Sequence, residues 1–348
     1  MLTAAISVDT LAFVTKTDDN IVRINSEGYA PFEQSLDDLS FVESEAGNSK
    51  ALVKGIAKYF VDNGCNVGGF TASVTSCVPA AAGVSSSASF ELLIAEIFNV
   101  LYNDGAVSKM KKAQASQYAE NVYFLKPCGL MDQSAISLGG VSMIDFENVE
   151  NPFVLGVQYP FTDTDIVITN TGGNHADLTS DYAAIRAEME EVSEKFSEKY
   201  LRLVDYQKFL DAIPALQNEV SGRAIMRAMH FFDENLRVDK AVSAINMKNA
   251  DAFYKIVNES GDSSFKLLQN CYVPADTVQR IPLGIVLSQH VTGVKAVRVH
   301  GGGFAGTIIA FVEKAETHEY VEHMSEVFGA EHVYKLSIRQ EGACRVEF

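Results

Sequence analysis

The chain has 348 residues, 47% of them hydrophobic, and a formal net charge of −17 at pH 7. This length and hydrophobic content suffice for a large core and favour two domains. The acidic charge argues against nucleic acid or an anionic membrane as a partner, and no apolar stretch approaches membrane-spanning length.

Cysteine content and the first residues bear on the compartment. The five cysteines are an odd number, widely spaced, and form no C-x-x-C pair. Neither a zinc site nor a disulfide framework is therefore expected, and the pattern favours a reduced, cytoplasmic protein. Residues 1–9 lack the basic region of a signal peptide, and Asp9 interrupts their apolar run. We expect a monomer or a weak homo-oligomer.

The chain begins with a mixture of strand and helix patterns. Apolar runs bounded by turn residues predict strands over residues 2–14, 21–26 and 69–75. Residues 31–48 are acidic and irregular, and a helix is predicted over about 49–64. The third strand leads into a loop of small residues.

This small-residue loop, residues 78–89, precedes a strongly amphipathic helix. Apolar residues recur at spacings of three and four, at Phe90, Leu93, Ile94, Ile97, Phe98 and Leu101. The first turn of a helix has N–H groups without intrahelical partners and the positive end of the dipole. Small side chains let an anion approach, Gly83 permits a positive φ, and the serine hydroxyls add donors or a metal ligand. The pattern predicts a phosphate-binding loop.

A serine cluster at a helix start has a simpler interpretation, because serine is also a common N-cap residue. The fixed order of Pro79, Gly83 and three consecutive serines exceeds what a cap requires. Both interpretations stay open on the loop alone.

The middle of the chain continues with short elements. A helix is predicted over about 108–123, and a shorter one over 130–138 has Asp132 in its first turn and Gly139 at its end. An aspartate at this position complements the helix dipole, so its place alone assigns no chemistry. A strand over 141–146 follows.

The second half opens after a crossover at residues 150–164. A buried strand is predicted over 165–170, then the polar loop 171–175 and long helices over about 179–200 and 218–248. Further helices over about 249–260 and 276–290, strands over 294–300 and 307–313, a last helix and a strand near 333–338 complete the chain. The order of elements predicts an α+β fold with two layered domains, residues 1–162 and 163–348.

Residues 301–306 formally satisfy G-x-G-x-x-G. A dinucleotide site of that type needs a helix after the glycines, whereas here a strand follows. Such a site is therefore not expected. Three consecutive glycines exceed what a hairpin needs and indicate a close approach of the backbone to another group.

Three segments in this order resemble the motifs of the GHMP kinases, and of galactokinases in particular: residues 79–89, 128–133 and 299–306. The segment around Tyr182 resembles the galactokinase segment that reaches the sugar. The resemblance implies the two-domain GHMP kinase fold. Residues 1–162 would form a domain of the ribosomal protein S5 domain 2 type, and residues 163–348 a ferredoxin-like domain.

The family transfers the γ-phosphoryl group of MgATP to the C1 hydroxyl of galactose, and the resemblance assigns roles accordingly. Asp132 is the candidate base, and Ser87 is the candidate ligand of Mg²⁺. The sugar contacts are Gly129, Asp132, Tyr182, Gly302 and Gly303. The ATP-binding residues are Pro79, Gly83, Val84, Ser85, Ser86, Ser87 and Ala88.

One departure from the family affects function. The first galactokinase motif, which carries an arginine for the phosphate and a glutamate, a histidine and an aspartate for the sugar, has no match in this sequence. We expect that Met1 is an internal start and that the motif precedes it. The alternatives are a degenerate member that binds ATP or sugar without fast turnover, or a kinase for another small sugar such as an amino-sugar.

Overall fold

The computed structural model describes residues 1–79, 83–172, 178–273, 277–304 and 306–347. Parts of four predicted features lie outside the described residues: 80–82 of the small-residue loop, 173–175 of the polar loop, 276 of a helix, and 305 of the glycine loop.

The chain divides into two compact units. One contains Met1–Thr3 and Met143–Ser337, and the other contains Ala4–Ser142 and Ile338–Phe348. The domain boundary predicted between residues 162 and 163 stays a prediction.

The strands and helices alternate irregularly along the chain. The strands are β1 Leu2–Ala4, β2 Thr10–Lys16, β3 Ile21–Ser26, β4 Phe32–Ser35, β5 Phe70–Ser76, β6 Val141–Asp145, β7 Phe153–Val157, β8 Thr164–Asn170, β9 Val294–Val299, β10 Thr307–Glu313 and β11 Val333–Leu336. The α-helices are α1 Ser49–Asp62, α2 Ser86–Tyr102, α3 Lys109–Tyr118, α4 Met131–Leu138, α5 Thr179–Glu194, α6 Tyr206–Leu216, α7 Gly222–Asn246, α8 Ala250–Ser263, α9 Arg280–His290 and α10 Thr317–Phe328. Two segments are π-helical, Ala119–Tyr123 and Ser264–Leu268.

In the unit that contains residues 4–142, a sheet of order β2-β5-β3-β4 packs against helices. The β3–β5 pair is parallel, and β2–β5 and β3–β4 are antiparallel. Apolar side chains of β3, β5, α1 and α2 share one core, in which Phe98 contacts Phe60 and Phe70. Helix α2 is covered by β2 and three helices, so burial extends beyond its predicted apolar face and includes Glu91.

The other unit contains a four-stranded sheet of order β11-β8-β10-β9. All its neighbouring strands are antiparallel. Helices α5 to α9 lie between β8 and β9 in the chain, and α10 lies between β10 and β11. This β-α-β-β-α-β order is that of a ferredoxin-like domain.

The prediction of one strand over residues 2–14 is wrong, because the chain changes sheets at residues 5–9. Strand β1 belongs to a sheet of order β1-β6-β7, whereas β2 pairs with β5. Asp9 lies in the connection, where its carboxylate accepts a hydrogen bond from Arg339 at 2.6 Å. A hydrophobic pattern indicates a strand but not its partner, and here the partner changes.

Two segments predicted to lack strands each contain one. The acidic segment 31–48 holds β4, which completes the sheet edge beside β3, and the crossover 150–164 holds β7. Both are short edge strands, and the exposed Phe153 and Leu155 of β7 obscure its alternation.

The long helices of the second half are shorter than predicted. Helix α5 ends at Glu194, and the predicted helix over 218–248 begins only at Gly222, after the capping residue Ser221. Helix α6, which was not predicted, starts after Asp205, whose side chain caps it.

Among the described residues, no helix is both long and apolar enough to cross a membrane.

Candidate phosphate-binding site

The N-terminus of α2 lacks the side-chain cap that its serines led us to consider. Ser85 is the N-cap residue, but its side chain accepts no hydrogen bond from the helix. Its hydroxyl instead donates to Oδ2 of Asp132. The first-turn N–H groups are thus left without the acceptor that a capping serine supplies, which is the state in which a helix N-terminus binds an anion.

The backbone of this loop is bent to produce that arrangement. Gly83 has φ +70°, and Ser85 has φ +62° and ψ +54°. A non-glycine residue in the left-handed region costs about 1–3 kcal/mol. A hydrogen bond to a charged group contributes about 1.5–3 kcal/mol, so the Ser85–Asp132 bond can offset the strain of Ser85.

The other predicted loop residues differ in what they expose. Pro79, Val84 and Ser86 are half-buried. The Ala88 side chain is 1% exposed and packs into the core, so only its backbone can face a ligand.

Ser87 contacts a carboxylate, that of Glu120, for which no role was predicted. Its hydroxyl donates to Oε1 of Glu120 at 3.3 Å. Glu120 belongs to the π-helical segment Ala119–Tyr123, a distortion that is frequent at functional sites. Gly55 of α1 lies against this segment, and a Cβ there would lie 2.8 Å from Ala119.

A buried polar network lies behind Ser87. The Gln133 amide donates to Glu91 Oε2 at 3.2 Å and to Glu120 Oε2 at 3.0 Å. Burial and the neighbouring Glu120 charge raise the pKa of Glu91 to about 8. Glu91 is therefore mainly neutral at pH 7. The neutral form lowers the cost of burying its Oε1, which has no hydrogen-bond partner among the described residues.

The loop before α4 is held by the π-helical segment. Asn121 accepts a hydrogen bond from the Cys128 N–H at 2.6 Å and donates to the Cys128 carbonyl at 3.2 Å. Lys126 donates to Glu120 Oε1 at 2.7 Å. Burial and the Glu120 carboxylate raise the pKa of the Cys128 thiol, which makes it a poor nucleophile. Gly129 is exposed, and a Cβ there would meet no atom within 4 Å, so packing does not demand a glycine.

Ser87 and Glu120 bring two oxygen donors together. Such hard donors suit Mg²⁺, which is usually bound by one or two carboxylates together with phosphates and waters. Among the described residues, no group of three His, Cys, Asp or Glu side chains is arranged to hold a metal alone. The donor set therefore fits a magnesium ion that arrives with a phosphate ligand.

The glycine loop lies in the other unit, between the antiparallel strands β9 and β10. A strand follows it, as predicted, so it lacks the geometry of a dinucleotide site. The Tyr182 hydroxyl donates to the Gly303 carbonyl at 2.7 Å, and a Cβ at Gly302 would lie 2.8 Å from the Tyr182 ring. A Cβ at Gly303 would collide with the Asn270 carbonyl. Tyr182 and Asn270 thus make the close approach that the glycines indicated.

The predicted site residues therefore form two groups. In one unit, the described loop residues 83–88 are joined to Asp132 by the Ser85 hydrogen bond, and Gly129 lies three residues before Asp132 in the chain. Tyr182 joins Gly302 and Gly303 in the other unit.

No role was predicted for Glu91, Glu120 or Gln133, although Gln133 belongs to the segment 128–133 that resembles the family. The burial of the two glutamates could have been predicted from the sequence, because each lies on a helical stripe of small or apolar residues. Glu91 shares its stripe with Ala88, Leu92, Ala95 and Phe98, and Glu120 shares its stripe with Ser116, Ala119 and Tyr123. A carboxylate on such a stripe is buried and needs a partner.

Comparison with known proteins places these features in a family. Residues 51–140 match the family described as GHMP kinases N terminal domain. The chain is 30% identical to the galactokinase of Clostridium tetani (strain Massachusetts / E88) over 337 residues, which cover 92% of this chain and 80% of that protein. It is 30% identical to the galactokinase of Homo sapiens over 297 residues, with coverages of 84% and 71%.

Comparison with solved structures gives similarities to kinases as well. The crystal structure of Lactococcus lactis galactokinase complexed with galactose superposes with a TM-score of 0.81 and 25% identity, covering 97% of this chain and 87% of that one. A mevalonate kinase superposes with a TM-score of 0.65 and 13% identity, covering 98% and 92%, and shows the fold alone.

The raised pKa of Glu91 predicts a pH-dependent stability. Between the pKa of an unfolded glutamate, about 4.3, and about 8 in the folded protein, the folded state holds the extra proton. The stabilisation of the folded state by this proton is complete below the lower pKa. It is lost as the pH rises through the upper pKa, by about 1.4 kcal/mol of unfolding free energy per pH unit. Glu91→Gln should remove this loss. Relative to wild type, the variant should gain about 2 kcal/mol of unfolding free energy from pH 5.5 to 7.5.

Urea denaturation followed by circular dichroism across this pH range measures the effect. Glu43→Gln is the control, because Glu43 is exposed, and should change the unfolding free energy by less than about 0.5 kcal/mol at each pH. A Glu91→Gln difference that stays constant with pH would contradict the buried, neutral glutamate.

The glycine loop predicts that two glycine-to-alanine variants lose stability to different extents. Gly301 and Gly303 have φ of +64° and +80°, but only at Gly303 would a Cβ meet other atoms. Gly301→Ala should cost about 1–2 kcal/mol for the left-handed backbone. Gly303→Ala should cost about 1–3 kcal/mol more, because Asn270 is buried and must move. Denaturation measures both variants, and equal losses would show that Asn270 does not confine the loop.

Proposed function

The chain belongs to the galactokinase family, and on that basis we propose that it transfers the γ-phosphoryl group of MgATP to the C1 hydroxyl of galactose. The observation that carries the proposal is the hydrogen bond from Ser85 to Asp132. It joins a loop suited to phosphates with a carboxylate suited to accept a proton. Phosphoryl transfer needs these two functions side by side.

The loop residues bind the nucleotide in this proposal. The backbone N–H groups at the start of α2 would donate to phosphate oxygens, Pro79 and Val84 would line the loop, and Ser87 and Glu120 would hold Mg²⁺. A magnesium ion held there would supply neutralising charge for the β- and γ-phosphates.

Asp132 acts on the sugar. Its carboxylate accepts the proton of the C1 hydroxyl as the sugar oxygen bonds to the γ-phosphorus, and the bond to the β-phosphate oxygen breaks to release ADP. The Ser85 hydroxyl occupies Oδ2 of Asp132 and holds the carboxylate in orientation. The further proposed sugar contacts are Gly129, Tyr182, Gly302 and Gly303. That the protein is a monomer or a weak homo-oligomer stays a prediction.

The sharpest variant is Asp132→Asn, which keeps an oxygen for the Ser85 hydroxyl but removes the base. Galactose-dependent ADP formation should fall about 10²–10⁴-fold, whereas the affinity for ATP, measured by calorimetry, should change less than about threefold because the N–H groups remain. Asp62→Asn is the control, since Asp62 is an exposed partner of Lys58 on α1. Full activity in Asp132→Asn would exclude Asp132 as the base.

A panel of acceptors separates the proposal from its alternatives. Wild-type protein should form ADP with galactose and much less with an amino-sugar or without any sugar. Preference for the amino-sugar would reassign the acceptor. ATP binding without ADP formation on any sugar would identify a binding protein instead.

A further inference from the structure

The carboxylate of Glu120 is already paired with a cation. Its Oε1 accepts both the Ser87 hydroxyl at 3.3 Å and the Lys126 ammonium at 2.7 Å. Its Oε2 accepts the Gln133 amide. Lys126 is thus the positive partner of a side chain that is only 3% exposed. Without that partner, the buried negative charge would be costly.

Lys126 itself is not buried, since its side chain is 60% exposed. A lysine stem has four rotatable carbons and reaches several positions. Because more than half of the side chain is exposed, the ammonium can exchange Glu120 for solvent.

The backbone turns sharply between Glu120 and Lys126. Leu125 has φ +61°, and the Lys126 N–H donates to the Glu120 carbonyl at 3.0 Å. A left-handed leucine costs about 1–3 kcal/mol. The Leu125 side chain is 52% exposed, so the turn does not serve to bury it. Leu125 is the left-handed residue that ends the π-helical segment, and the backbone hydrogen bond that closes this end also places Lys126 beside Glu120.

A divalent ion bound by Ser87 and Glu120 would compete with the ammonium for the same oxygen, because two cations in contact repel each other. The displaced ammonium stays near Ser87, where the proposed function puts phosphate oxygens. Phosphate is a favourable partner for a lysine ammonium.

We propose that Lys126 is an exchangeable cation, which neutralises Glu120 before the metal–nucleotide complex binds and then contacts a phosphate oxygen of the bound nucleotide. The inference rests on the proposed nucleotide site but not on turnover. Lys126 therefore opposes binding of the metal alone and favours binding of the metal–nucleotide complex.

Lys126→Met separates these two effects. Mn²⁺ binding to the nucleotide-free protein, measured from the electron paramagnetic resonance of free Mn²⁺, should become about tenfold tighter because a competitor is gone. The Mg²⁺ complex of the β,γ-imido analogue of ATP, measured by calorimetry, should bind about tenfold more weakly because a phosphate contact is lost.

Matched variants define the controls. Lys126→Arg keeps the charge and should hold both affinities within about threefold of wild type. Lys58→Met removes another lysine that pairs with a carboxylate, on α1, and should change neither. Adding Ser87→Ala to Lys126→Met should abolish the gain in Mn²⁺ affinity, which separates this site from other acidic side chains.

Opposite changes in the two affinities support the proposal. An unchanged or weaker Mn²⁺ affinity in Lys126→Met, or nucleotide binding that does not weaken, overturns it and leaves Lys126 as a structural partner of Glu120. If Lys126→Met fails to fold, as judged by its melting temperature, Lys126→Gln replaces it. Wild-type protein that binds the analogue but never phosphorylates a sugar contradicts the proposed function alone.

Discussion

The hydrogen bond from the Ser85 hydroxyl to Asp132 is the contact on which the rest of the site depends. It draws the N-cap serine away from its own helix, so that the start of α2 is left for a ligand. It also couples the loop to α4, which begins at Met131. If Ser85 capped the helix, its hydroxyl would accept a hydrogen bond from a first-turn N–H group, and the Asp132 carboxylate would lose this partner. The strained φ of Ser85 is the local cost of that coupling.

Local cations and dipoles must bind the phosphates, because the net charge of −17 repels anions. Near the loop, the buried Glu91 stays mainly neutral, Glu120 is paired with Lys126, and the helix dipole points its positive end outward. These features reduce the negative charge where a nucleotide would bind. The polar network behind the loop thus limits the negative charge of the site.

Much of this arrangement follows from local sequence. The apolar spacing of α2 and the short helix with Asp132 are each properties of a few neighbouring residues, and both helices were predicted correctly, although α2 begins at Ser86, inside the predicted loop 78–89. The stripe of small and apolar residues around Glu120 marks its burial but not its partner, because no local pattern predicts a π-helical turn that directs a side chain to Ser87. The break between β1 and β2 was missed for a related reason, since strand partners are chosen by residues distant in the chain.

Amide hydrogen–deuterium exchange, resolved to single residues, tests most directly whether the start of α2 binds the phosphates. The protein would be compared with and without the Mg²⁺ complex of the β,γ-imido analogue of ATP. We expect slower exchange at Ser86, Ser87 and Ala88, whose N–H groups lie in the first turn of α2. Unchanged exchange at these three residues, with protection elsewhere in the chain, would contradict it.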